Sequence, residues 1–173
     1  MELTPSELVV LGLIIERPRH GYDIEQVIER RGIRQWTDIG FSSIYYLLAK
    51  LEKRDLVHTT DSRAAPKSRR VFQATDLGRQ VATQNTLTYI RGPHRVAHPM
   101  LVGVSNLWLL PQRQYTRALR DRLAQVEQRI TAVRQAQAAQ APLPLPAREV
   151  FSYSLSLLEA EREWLAQRAE VRR

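Results

Sequence analysis

Three observations predict a mainly α-helical chain built in two parts. Within residues 1–55, three short segments carry apolar residues at helical spacing. Two β-branched segments, 57–60 and 69–75, then flank a basic, turn-rich stretch. From residue 99 onward the segments lengthen, and apolar residues step along them alternately four and three apart.

The first helix starts at Thr4-Pro5-Ser6-Glu7. Threonine caps, proline suits the first helical position, and a glutamate three residues after the cap closes a capping box. Leu8, Leu11 and Ile15 are its expected buried positions, and it stops before Pro18, which disfavours helical geometry at Arg17. His20-Gly21 is read as a turn. A second helix follows, with Asp23 and Glu25 in its first turn, Ile24, Val27 and Ile28 on one face, and Gly32 as its end. The connector IRQWTDIG leads into FSSIYYLLAKLEKRDLV, residues 41–57. Here Ile44, Leu47, Leu48 and Leu51 form one stripe, and Ser42, Tyr46, Ala49, Lys50 and Lys53 fall on the other side. The helix is expected to end near Asp55. Val57–Thr60 and RRVFQAT then read as a hairpin around DSRAAPKS, and Thr75 caps a fourth helix that runs to about Ile90, before Gly92-Pro93. Three short helices and a hairpin in so short a span make a winged helix-turn-helix, whose third helix is the one presented to a groove.

In the second part, Pro99–Leu110 reads as a short apolar helix and Gln112–Ala139 as a long one. The latter carries a coiled-coil-like seam of Leu119, Leu123, Val126, Ile130 and Val133. PLPLP, residues 142–146, reads as a stiff linker. A last helix, about Ala147–Glu170, places Phe151, Leu155, Leu158 and Leu165 on one side with Trp164 nearby. Two apolar stripes with few partners in their own chain are expected to be buried against a second copy. The expected dimerisation residues are therefore Leu119, Leu123, Val126, Ile130, Phe151, Leu155, Leu158, Trp164 and Leu165. The expected domains are a winged-helix DNA-binding domain, 1–92, and a helical dimerisation and effector module, 93–173.

Composition narrows the function classes. The chain has 173 residues, 43% of them apolar and 25% charged, close to the averages for a globular protein. The longest apolar stretch, around MLVGVSNLWLLP, is shorter than the ~20 residues a membrane span needs, so no membrane partner is expected. MELTPSEL lacks the basic and apolar regions of a signal peptide, and a cytoplasmic home is expected. Without cysteine there is no disulfide and no thiolate metal site. The net charge of +8 favours a polyanionic partner, but it is uneven: residues 1–90 hold 13 cations and 11 anions, and residues 91–173 hold 13 and 7. Nucleic-acid binding by the first half would have to come from local clustering.

The sequence resembles the PadR-type transcriptional regulators along most of its length. LVVLGLIIERPRHGYDIEQVI resembles their first two helices, including Gly12 and the His20-Gly21-Tyr22 turn. SSIYYLLAKLEKRDLV resembles their recognition helix, with Tyr45, Leu48, Leu51 and Leu56 at family positions. SRRVFQATDLGRQV resembles their wing strand and the Thr-x-x-Gly entry to the fourth helix. HPMLVGVSNLWLLP, the long helix after it, and AREVFSYSLSLLEAEREWL resemble the C-terminal module of the longer members. The resemblance implies a dimeric, ligand- or signal-responsive repressor that binds double-stranded DNA without a cofactor. This chain departs from the family pattern at three places. Asp55 stands at a usual glycine, Gly40-Phe41 replaces a common Ser/Thr-Pro start of the recognition helix, and Phe72 replaces a common tyrosine.

On these grounds Ser42, Ser43 and Tyr46 are the residues expected to read bases. Lys50, Lys53, Arg63, Lys67, Arg69 and Arg70 are expected to meet phosphates, contacts that are salt-sensitive and carry no sequence information. Tyr45 is divided between core and contact. The plainer reading of this face is a solvated helix back. Trp36, Leu101, Val104 and Trp108 are read either as interface core or as the lining of a pocket for a small aromatic or amphipathic effector. His94 and His98, bracketed by prolines, are read as surface residues, and Glu159, Glu161 and Glu163 around Arg162 as a charged helix face. No nucleophile motif or phosphate loop is present, so an enzyme is not expected. The main alternative is a winged-helix module for protein interaction or RNA binding.

Overall fold

The structure, a computed structural model, describes residues 1–40, 43–59, 70–93 and 98–170. The chain forms two compact units, Met1–Arg95 and Val96–Arg173.

In the first unit, helix α1 (Pro5–Glu16) begins with the expected capping box: Thr4 Oγ1 accepts from the Glu7 N–H at 3.3 Å, and Glu7 Oε2 accepts from the Thr4 N–H at 2.7 Å. Val10, Leu11, Leu13 and Ile14 are buried, whereas Leu8 and Ile15 are only half-buried. The single-stripe expectation is thereby corrected. α1 is the central helix of the unit and is packed on several sides, so its burial does not follow one stripe. A strand that sequence periodicity missed, β1 (Arg19–His20), replaces the expected turn. Two residues are too few to show a period.

Helix α2 (Gly21–Arg30) buries Ile24, Val27 and Ile28. A 3₁₀ turn, Ile33–Gln35, follows, and Ile33 and Ile39 anchor the connector in the core. Arg34 ties the connector down through Glu25 at 2.5 Å, Glu29 at 2.8 Å and the Ile39 carbonyl at 3.1 Å. Helix α3 (Ser43–Lys53) buries Ile44, Leu47, Leu48 and Leu51, the predicted stripe. It ends at Lys53, and the chain turns through Asp55, whose φ of 54° is the left-handed conformation that glycine adopts without strain.

Strands β2 (Val57–Thr59) and β3 (Val71–Ala74) pair antiparallel, with Val57 opposite Ala74 and Thr59 opposite Phe72. β1 adds on the other edge, giving the order β1-β3-β2. Helix α4 (Asp76–Arg91) is capped by Thr75, whose hydroxyl accepts from the Gly78 N–H at 2.9 Å and donates to the Asp55 carbonyl at 2.7 Å. Buried Asn85 accepts from the Leu3 N–H and donates to the Met1 and Val81 carbonyls, while the Tyr89 hydroxyl donates to the Leu3 carbonyl. The chain start is thus fastened to α4. Burial, reinforced by the charges of Glu2 and Glu7, pushes the Tyr89 hydroxyl above its usual pKa and keeps it a donor.

The second unit contains α5 (Pro99–Ser105), a 3₁₀ turn (Leu107–Leu109), α6 (Gln112–Ala139) and α7 (Leu145–Ala169). The predicted apolar helix 99–110 is broken at Asn106, whose side chain donates to the Val102 carbonyl at 2.8 Å. The predicted linker is shorter than PLPLP, because Pro146 falls in the first turn of α7, where a missing N–H costs nothing. α6 and α7 fold back on one another and bury Leu119, Val126, Ile130, Leu165 and Ala169. Leu123, Leu155, Leu158 and Trp164 pack around them, half-buried, and Phe151 is also half-buried.

The premise that these stripes lack partners in their own chain is corrected. A five-residue connection brings the two stripes face to face, so the burial of Leu119, Val126, Ile130 and Leu165 requires no second copy. Arg122–Glu161 at 2.5 Å and Arg134–Glu159 at 2.7 Å flank the seam. Among the described residues, no helix is long and apolar enough to cross a membrane.

Candidate nucleic-acid interface

The inner side of α3 fixes its outer side. Ile44, Leu48 and Leu51 are fully buried beneath it, and burying each is worth roughly 1.5–3 kcal/mol. On the outer side Tyr46 is 68% exposed, and Ala49 and Lys53 are exposed with it. Tyr45 is 46% exposed and also packs inward. Its ring lies over Gly21 so closely that a Cβ there would sit 2.7 Å from Tyr45 Cε1. This contact explains the glycine after His20. The half-buried Ser43 hydroxyl donates to the Gly40 carbonyl at 2.6 Å, where it stabilises the first turn and keeps its lone pairs for an outside donor.

Lys50 is placed differently from Lys53. Its Nζ lies 2.9 Å from Glu7 Oε1, and Arg54 Nη1 meets the same oxygen at 3.1 Å. Glu7 is 1% exposed. Burial alone raises its carboxyl pKa, but hydrogen bonds from Lys50 and Thr4, with the Lys50 charge, outweigh burial and hold the group below its usual range. Sequence reasoning saw Glu7 only as half of a capping box. No local pattern links it to a cation more than forty residues away.

A second depressed carboxyl is Glu16, lowered chiefly by hydrogen bonds from Arg31 against the opposing effect of burial, then by the charge of Arg31 and by Arg19. Both groups bind protons less tightly folded than unfolded. Their stabilisation is therefore present above the ordinary value of 4.5 and is lost as pH falls below it through the depressed native values. Glu7 should carry the larger share, since the exposed Glu16 pair is screened by solvent. An acid titration followed by circular dichroism should show helix loss beginning at lower denaturant as pH drops from 5 to about 3. Identical denaturant midpoints across that range would exclude the effect.

Phe41, Ser42, Arg63, Lys67 and Arg69 lie outside the described residues. Arg70 is half-buried at the start of β3. The four pocket candidates do not form one set. Trp36, half-exposed in area, belongs to the first unit and the other three to the second. Leu101 and Val104 line an open, largely apolar cleft of about 540 Å³ between α5 and α7, together with His98, Tyr153, Leu157 and Trp164. Trp108 stands outside its lining and is 80% exposed. The apolar side chains left uncovered in this unit include Val102, Leu109, Tyr153 and Leu157, none of which the heptad-like seam singled out.

Residues 10–84 match the model of the Transcriptional regulator PadR-like family. PadR of Bacillus subtilis in complex with operator DNA is similar in structure, with a TM-score of 0.74 at 18% identity over 95% of this chain and 97% of that one. The same protein in complex with p-coumaric acid gives 0.77 at 18% identity, over 93% and 94%. The virulence activator AphA of Vibrio cholerae gives 0.70 at 16% identity, over 94% and 95%. No curated protein matches the chain in sequence. At such identities the structures speak for the fold, winged helix and C-terminal helices together, while the sequence match runs from within α1 through most of α4. Over residues 10–84 the chain is similar to the transcriptional regulator PadR-like family, and its fold is that of the solved PadR-like regulators.

Proposed function

We propose that this protein is a sequence-specific, DNA-binding transcriptional repressor that acts as a homodimer in the cytoplasm. The observation that carries the reading is the two-sidedness of α3: one face is buried in the core, while Tyr46 and Lys53 stand exposed on the other. Such a helix is held rigidly enough to dock in a major groove. Residues 1–92 would make the DNA contacts, with Ser42, Ser43, Tyr45 and Tyr46 toward bases and Lys53, Arg63, Lys67, Arg69 and Arg70 toward phosphates. Residues 93–173 would join two copies, setting the two α3 helices about one turn of DNA, ~34 Å, apart on a pseudo-palindromic operator. The cleft between α5 and α7 is the place for a small aromatic effector, a reading supported by its apolar lining and by the p-coumaric acid complex of the Bacillus subtilis protein.

Footprinting the DNA upstream of the protein's own gene, with protein titrated at two salt concentrations, tests this. Tyr46→Ala should change which operator bases matter, costing about 1–3 kcal/mol at the affected position. Lys67→Ala with Arg69→Ala should weaken binding to every duplex and flatten the salt slope by about one unit per lost phosphate contact. Equal affinity for operator, random duplex and RNA would instead return the alternative of an interaction module without operator specificity.

A further inference from the structure

We propose that Glu7 is a positioning and specificity-determining residue for the DNA-binding helix, which it serves by withholding Lys50 from phosphate. This rests on the DNA-binding reading above. By helical spacing Lys50 lies one turn beyond Tyr46 and three residues before Lys53, on the side of α3 that carries the exposed tyrosine. It is not a core residue. Its side chain is 41% exposed, yet its ammonium is drawn back to a carboxylate that is almost fully buried in α1. The other Glu7 oxygen is occupied by the Thr4 N–H, and Arg54, which shares the first oxygen, is also held by the Glu2 carbonyl at 2.6 Å.

Two consequences follow for α3. An ion pair from its outer flank to α1 adds to the buried stripe in fixing the rotation of α3 about its own axis. The pair also cancels a cation that would otherwise strengthen binding to any DNA, since phosphate contacts carry no sequence information. Operator selection among a large excess of other sites depends on the ratio of specific to non-specific affinity. A lysine neutralised by its own protein keeps the non-specific part low.

The test measures salt dependence with full-length protein on two duplexes of equal length, one random and one footprinted upstream of its own gene. Glu7→Gln, which keeps an oxygen for the Thr4 N–H, should release Lys50. Affinity for the random duplex should rise several-fold at low salt, its slope should steepen by about 0.9, and the ratio of upstream to random affinity should fall. Lys50→Gln alone should leave the slope unchanged, and Glu7→Gln with Lys50→Gln should return it to the wild-type value. A role confined to stability would shift the unfolding midpoint and leave every slope alone. The proposal is overturned if Glu7→Gln keeps the wild-type slope, or if Lys50→Gln flattens the slope by itself, which would mean that Lys50 already meets phosphate. The second criterion stands even if Glu7→Gln fails to fold. Wild-type protein that binds neither duplex overturns the DNA-binding reading and this proposal with it, an outcome distinct from altered slopes.

Discussion

Gly78→Ala is expected to unfold the winged-helix unit under conditions where the wild type is stable. A Cβ at this position would lie 2.0 Å from the Leu56 carbonyl oxygen, 3.0 Å from its carbon and 3.3 Å from its Cα. The obstacle is backbone, and that backbone is itself engaged: the Leu56 carbonyl accepts from the Thr75 N–H at 3.1 Å, and Thr75 caps α4 through the Gly78 N–H. No side chain can swing aside, so relief requires α4 to move off the wing strands. We expect a loss of about 3 kcal/mol or more, a large part of the 5–15 kcal/mol typical of a domain. Urea unfolding of the full chain measures it. Gly12→Ala is the matched control, because a Cβ there meets nothing within 4 Å and helix propensity should make it neutral or stabilising by up to about 1 kcal/mol. A Gly78→Ala loss below about 1 kcal/mol would contradict the geometry.

Trp108→Asp combined with Leu157→Asp is expected to convert the proposed dimer to a monomer while leaving the helical hairpin folded. Trp108 and Leu157 are exposed, as are Leu101, Val102, Leu109 and Tyr153 in the same unit. Exposed apolar patches commonly mark interaction surfaces. A second copy is the partner that the proposed function requires. Separating the copies removes the linkage between half-sites, and affinity for the whole operator should fall by about 10² or more. Sedimentation velocity and operator titration read the two effects separately. Leu165→Ala is the contrast. It empties a fully buried position between α6 and α7 and should cost about 2–5 kcal/mol of stability, with dimerisation weakened only as far as unfolding demands. Sedimentation as a dimer after the paired aspartate substitution would move the interface elsewhere.

Local signals in the chain were sufficient for most of the elements. Thr4 and Thr75 cap helices through atoms within three residues of themselves, and a capping box is legible wherever its residues stand. The stripe Ile44, Leu47, Leu48 and Leu51 recurs at the helical period and is the buried face of α3. Asp55, at a position where the resemblance implied a glycine, sits in the left-handed conformation. β1 escaped because two residues have no period, and its strand character exists only through pairing with β3.

Beyond these elements the outcome depended on what lay opposite each surface. Lys50 and Lys53 are alike in sequence and three residues apart, yet one is paired with a buried carboxylate and the other is exposed. The seams of α6 and α7 were visible as apolar repeats, but a repeat does not say whether its cover comes from the same chain or another. Sequence by itself determined where the threonine-capped helices begin and which face of α3 is buried, because these are set by interactions spanning a few residues. Tertiary structure decided which cation is neutralised and which stripe is satisfied at home, because those outcomes rest on contacts between segments far apart in the chain.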